Sequence, residues 1–347
     1  MDGLEPITLA SRVVTLLETG RRESTYKLAT LTALVDISVE VDEDDDGTLA
    51  VPIDEIVHRL IAYYWPQARP YHEHGLLRQT KTGTAIPDAV AEARSTLDTN
   101  RLRTAEAARE ARHPAYERLV HELRLKVAQQ PLTHLQTVEQ RARSWLRDDF
   151  LFDPTGFAKK MTRSEVDAAD PIRLRPGVAS GLRAAAPLLK AYIRTLWSAE
   201  VIRLNRVTLE ATDLDAFLFA DSRETLHGLL ARPLTEIQHG RCFYCGQAMT
   251  GVQVDHVIPW SRIPINGVAN LVAVDRDCNA NKSASMPVRE HVDRALTRAE
   301  LEEIALSTRI PAQRERTRNA AHGIFKAMPV GAWLWRSRGV LERYLPD

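Results

Sequence analysis

All three cysteines of the chain fall between residues 242 and 278. Cys242 and Cys245 form a CxxC knuckle, with Gly246 directly after it. Cys278 follows 33 residues after Cys245, and Asp275 stands three residues before Cys278. A CxxC alone also suits a redox pair. Two knuckles at this separation suit a tetrahedral zinc, for which a carboxylate is an allowed, less common ligand. The spacing predicts a structural Zn²⁺ held by Cys242, Cys245 and Cys278, with Asp275 as candidate fourth ligand. The competing expectation is three reduced core cysteines. Between the knuckles stands Asp255-His256. A neutral imidazole can take a proton near neutral pH, its unperturbed pKa being about 6.5.

These residues need a scaffold, and the intervening sequence reads as a small one. Val252 to Val254 are rich in β-branched residues and predict a short strand ending at Asp255-His256, which Pro259 turns. Asn266-Gly267 marks a loop. Leu271-Val272-Ala273-Val274 predicts a second strand, and Arg276 to Ala284 a helix. Asn279 and Lys282, three apart, share one face of that helix. The order is strand, loop, strand, helix.

This stretch resembles the HNH nuclease domain, the ββα-metal fold. The motif residues are Cys242-x-x-Cys245, Asp255-His256, Pro259, Asn270-Leu271 and Cys278-Asn279-x-x-Lys282. The two asparagines, Asn270 and Asn279, lie nine apart, as in that family. The pattern departs at Asp275, where zinc-binding members usually carry cysteine. The resemblance implies that His256 is the general base and that Asp255 and Asn279 hold one catalytic divalent ion. A carboxylate and an amide oxygen are hard ligands suited to Mg²⁺ or Mn²⁺. It further implies that Asn270 fixes the loop presenting His256, and that Lys282 touches phosphate or steadies the site as a point charge.

The remainder reads as helical. Tyr26 to Ile37 has helical spacing with Ser24 or Thr25 as cap, Thr48 to Pro52 is a short strand, and Asp54 caps a second helix ending at Pro66. This order, with a basic turn at Arg78 and Lys81, admits a winged-helix module or a plain helical packing region. Asp42 to Asp46 reads as a solvated acidic turn, and His72-Glu73-His74 as a surface loop. Residues 87–150 favour long helices, and Leu188 to Leu209 an amphipathic one. Residues 159–206 carry ten basic against four acidic side chains. Lys159, Lys160, Arg163, Arg173, Arg175 and Arg183 there are either phosphate contacts or a helical surface rich in arginine. The tail after 291 is helical in pattern, with Trp333, Leu334, Trp335 and Leu341 as core or docking residues.

The expected fold class is therefore mainly α. A helical region over 1–225, which divides near 85, precedes an HNH domain over 226–290 and a helical extension over 291–347. Lys plus Arg and Asp plus Glu number 46 each, which excludes a uniformly basic nucleic-acid binder. No apolar run suits a membrane helix, and the MDGLEP start lacks a secretory signal, so the expected location is cytoplasmic. The leading expectation is a metal-dependent DNA endonuclease in restriction or phage defence, acting as a homodimer or with a defence-system partner. The alternatives are a zinc-knuckle module that binds DNA or protein without cutting, and an effector activated by a partner.

Overall fold

The computed structural model describes residues 5–19, 24–81, 83, 85–97, 102–139, 145–205, 211–219 and 223–346. The chain forms two compact units, Met1–Ala220 and Asp221–Asp347. Both are mainly helical, and among the described residues the named strands form short pairs.

The first unit contains α1 (Pro6–Thr19), α2 (Tyr26–Glu40), β1 (Leu49–Val51), α3 (Ile53–Tyr64), α4 (Ala85–Ser95), α5 (Ala105–Glu110) and α6 (Pro114–Val127). It continues with β2 (Thr137–Glu139), β3 (Trp145–Arg147), α7 (Arg163–Ala168), β4 (Ile172–Leu174), α8 (Val178–Asn205) and α9 (Ala211–Phe219). Helix α2 is its axis. It is apolar on nearly every side, so it is buried on nearly every side, packed by α3 and α8. Gly181 on α8 lies against Leu9 of α1, where a Cβ would collide with the leucine side chain.

Several cap and turn expectations change in the fold. Thr25 stands at the N-cap of α2, but its hydroxyl makes no cap bond. It bonds the Tyr64 hydroxyl at 2.7 Å and donates to Gln79 Oε1 at 2.7 Å. Asp54 lies inside the first turn of α3 rather than at its cap. Asp170, far along the chain, accepts the Ile53 N–H at 2.8 Å instead. Strand β1 pairs antiparallel with β4, with Leu49 opposite Leu174, and so forms no wing; the region is a plain helical packing unit. Residues 87–150 hold α6 of 14 residues beside the shorter α4 and α5, and end in the β2–β3 pair rather than in a helix. His72-Glu73-His74 is one exposed 3-10 turn.

The acidic turn and the basic segment largely satisfy each other. Arg183 is buried; it donates to the Ser38 and Val41 carbonyls at 2.7 and 2.8 Å, closing the α2 C-terminus beside Asp42 and Glu43. Arg173 pairs with Asp44, and Arg175 donates to the Asp149 carbonyl. These three arginines are structural. Lys159, Lys160 and Arg163 remain exposed.

His58 on α3 is half-buried and stacked on Tyr116, whose hydroxyl lies 2.9 Å from Nδ1. Burial, then the nearby Arg109 charge, pulls this histidine from 6.5 down to about 4. The folded state thus refuses a proton that the unfolded chain accepts. Stability is full above about 6.5 and is lost as pH falls toward about 4, by up to ~1.4 kcal/mol per pH unit. Urea unfolding across that window should show this slope, and His58→Gln should flatten it. An unchanged slope in the variant would place the pH sensitivity elsewhere.

Candidate active site

The second unit contains α10 (Arg223–Ile237), β5 (Val252–His256), β6 (Leu271–Asp275), α11 (Arg276–Lys282), α12 (Arg289–Leu296), α13 (Leu301–Thr308), α14 (Arg314–Lys326), β7 (Trp333–Ser337) and β8 (Val340–Arg343). Strands β5 and β6 are antiparallel, with Val252 opposite Asp275 and His256 opposite Leu271. The tail is helical only to α14. Trp333, Leu334, Trp335 and Leu341 lie on the β7–β8 hairpin, Leu334 and Trp335 buried, Trp333 and Leu341 exposed.

The cysteine knuckle sits on the edge of β6. The Phe243 N–H donates to the Ala273 carbonyl at 3.0 Å, and the Cys242 N–H to the Gln247 carbonyl at 2.8 Å. Gly246 makes the tight return with φ of +70°, a conformation costly for other residues. The Sγ atoms of Cys242, Cys245 and Cys278 lie within 4.8 Å of one another. Burial, then the neighbouring Cys242 and Cys245, pushes the Cys278 thiol up to about 12. Three sulfurs so close cannot all ionise without a cation, and zinc fits this donor set.

Asp275 does not join them. Its carboxylate accepts the Asp277 N–H at 3.1 Å as the N-cap of α11, and the Thr250 N–H at 3.3 Å. Those bonds hold the carboxyl below its usual range. The residue in the expected fourth-ligand position is a helix cap.

Asn279 and Lys282 of α11 meet Gln253 and Asp255 of β5 along the seam between the two elements. Gln253 and Asp255 are two apart and share one face of β5. Asn279 donates to Gln253 Oε1 at 2.7 Å, and Lys282 Nζ reaches Asp255 Oδ2 at 2.9 Å, so α11 covers that face. Asp255 also accepts the Tyr244 hydroxyl, again on Oδ2, at 2.7 Å. Lys282 is fully buried and donates to the His256 carbonyl at 2.7 Å. Its ammonium is thus turned into the protein, between the His256 carbonyl and the Asp255 carboxylate. Burial lowers its pKa, and the Asp255 carboxylate works in the opposite direction.

His256 ends β5, with Nε2 2.8 Å from Asn266 Oδ1. An amide oxygen can only accept, so in this contact Nε2 is the donor. Asn270 is fully buried and clamps the connecting loop. Its Oδ1 accepts the Ile258 N–H at 2.8 Å, and its Nδ2 donates to the Ile258 and Ile265 carbonyls at 3.1 and 3.0 Å. Asp255 and Asn279 offer a carboxylate and a carboxamide, a hard-oxygen pair that fits Mg²⁺ or Mn²⁺.

A family model described as a domain of unknown function (DUF8808) matches residues 7–216, more than half of the chain. A second, described as HNH endonuclease, matches residues 242–288. The chain belongs to the DUF8808 family and carries an HNH endonuclease domain. No curated protein and no solved structure matches it. Among the described residues, no helix is long and apolar enough to cross a membrane.

Within the HNH domain three residues escaped the sequence reading: Tyr244, Gln253 and Asn266. Tyr244 lies inside the CxxC, Gln253 within a strand and Asn266 in a loop signal; none of these contacts follows from spacing. Elemental analysis of the purified chain should find one zinc, lost in Cys278→Ser and kept in Asp275→Ala. Loss of zinc in Asp275→Ala would restore the carboxylate as a ligand.

Proposed function

We propose that the chain is a metal-dependent DNA endonuclease whose chemistry resides in its HNH domain. The observation carrying this reading is the joint placement of Asp255 and His256 on β5 and Asn279 on α11, with Asn270 clamping the loop between the strands.

Hydrolysis of a phosphodiester needs a deprotonated water and relief of charge at phosphorus and on the leaving oxygen. His256 serves as general base and takes the proton of the attacking water, its ring held by the Nε2 contact to Asn266. Asp255 and Asn279 would hold a divalent ion, which supplies charge neutralisation at the scissile phosphate and the leaving oxygen. Lys282 binds the His256 carbonyl and the Asp255 carboxylate, fixing base and ligand in one frame.

One such site cuts one strand, so a double-strand break requires a second copy or a second visit. In the same reading the first unit selects the target, as fits bacterial HNH proteins of restriction or phage defence. The test is nicking of supercoiled plasmid with Mg²⁺ or Mn²⁺, run beside methylated and hydroxymethylated DNA. His256→Ala should lower the rate about a hundredfold or more while DNA binding by fluorescence anisotropy persists. Asn279→Ala should lose activity, with partial recovery at high Mn²⁺. Wild-type rates in His256→Ala would remove the general base. DNA binding without nicking by the wild type on any of these substrates would favour a binding module.

A further inference from the structure

The knuckle and the strand face are joined by a single side chain. Tyr244 belongs to the CxxC by sequence, yet its hydroxyl ends on Asp255, 2.7 Å from Oδ2. Its backbone is pinned on both sides, by Cys242 and Cys245 of the thiol cluster and by the neighbouring Phe243 N–H on Ala273. Arg294 adds a bond to the Phe243 carbonyl and lies over the Phe243 ring at 4.2 Å. The phenol ring is buried. It stands edge-on to Trp335 at 4.9 Å and to His291 at 5.1 Å, with Lys282 Nζ 5.8 Å from its centroid. A ring so enclosed has one position, and its hydroxyl therefore marks where the knuckle is.

The receiving group is equally constrained. An ionised carboxylate can only accept, so the phenol donates. Tyr244 and Lys282 both address Oδ2, so Asp255 is held by one oxygen while Oδ1 carries neither bond. A carboxylate oriented this way loses its rotamer freedom before any cation arrives. Partners of this kind, one step removed from a metal, set ligand orientation and commonly change metal affinity 10- to 100-fold when removed.

We propose that Tyr244 is a positioning residue that couples the Cys242–Cys245–Cys278 cluster to the Asp255 carboxylate, so that an ordered knuckle is required for Asp255 to hold its divalent ion. The inference rests on the reading of Asp255 as a metal ligand. It makes zinc at the knuckle a condition for tight Mn²⁺ or Mg²⁺ binding, although the two ions share no ligand.

The experiment is a Mn²⁺ titration of the full-length chain, read from the free-ion signal in electron paramagnetic resonance, with zinc content measured on the same samples. The Mn²⁺ site is identified by its loss in Asn279→Ala. Tyr244→Phe keeps the ring and should keep its zinc, while Mn²⁺ affinity falls about tenfold. Cys245→Ser, at the exposed cysteine, should lose zinc and show a similar fall. The double variant should fall no further than about twofold below either single one, because both remove the same link. Mn²⁺ affinity in Tyr244→Phe within twofold of wild type overturns the inference, as do losses that multiply in the double variant. If circular dichroism shows Cys245→Ser unfolded, the Tyr244→Phe affinity alone decides. A wild-type chain that binds no Mn²⁺ defeats the metal reading itself, an outcome distinct from the others.

Discussion

Two strands of five residues bury too little surface to hold each other. A lone two-stranded hairpin is marginal in water, and among the described residues β5 and β6 have no third strand beside them. What fixes their register is polar bonding at every edge. Gln238, just past α10, donates to the Ala273 carbonyl at 2.7 Å and accepts the Ala273 N–H at 3.0 Å, as a neighbouring strand would. The knuckle takes a second bond on the same carbonyl through Phe243. Asn270 closes the loop with three bonds, each to a buried backbone group that would otherwise be unpaired. The site residues are thus positioned by groups whose first task is to make so small a sheet stable.

The Asp255–Lys282 pair belongs to the same logic, and magnitudes show what it contributes. At an effective dielectric of 20, two charges 2.9 Å apart attract by about 6 kcal/mol. Desolvating them costs several kcal/mol for each ion. The lowered pKa of Lys282, with burial as its leading cause, shows desolvation exceeding attraction for the ammonium. The pair therefore adds little net stability. Its value is geometric, because Lys282 binds both the Asp255 carboxylate and the His256 carbonyl and so ties a candidate ligand to the residue carrying the candidate base. Breaking it would strand a charge in the interior, which is far costlier than never having built it.

Sequence spacing revealed this core well because its residues lie close together in the chain. The alternation through Val252 to His256, the Asn266-Gly267 break and the Asn279–Lys282 interval each report local geometry, and the strand–strand–helix order follows from them. Tertiary partners are another matter. Asp275 occupies a motif position expected to bind metal, yet two residues on lies an N–H that a carboxylate at a helix start readily caps. Arg183 looked like a surface cation because its partners, the end of α2 and the acidic turn, are distant in sequence. The helical expectation fails at Trp333 to Leu341, a β hairpin, because aromatic and branched residues there suit a buried face of either kind. Trp335 shows which: its backbone N–H donates to the Met286 carbonyl at 2.8 Å and its indole to Asn281 Oδ1 at 2.8 Å.

The HNH match ends at residue 288, but the bonding that shapes the site does not. Three carbonyls at the entry to β6 bond Arg298. Its guanidinium donates to Leu271 at 2.9 Å, Val268 at 2.8 Å and Ala269 at 3.2 Å. Burial pulls that arginine down to about 10, so it stays charged at neutral pH with little water around it. The segment entering α14 completes the enclosure. The Val268 and Ala269 N–H groups donate to Pro311 and Ala312, and a Cβ at Gly267 would strike Gln313 and the Ala312 carbonyl. Asn266, which orients the His256 ring, is the residue next to that glycine. The imidazole is aimed by a loop whose shape depends on residues 298 to 313, so the functional core of this HNH domain extends beyond its sequence motif.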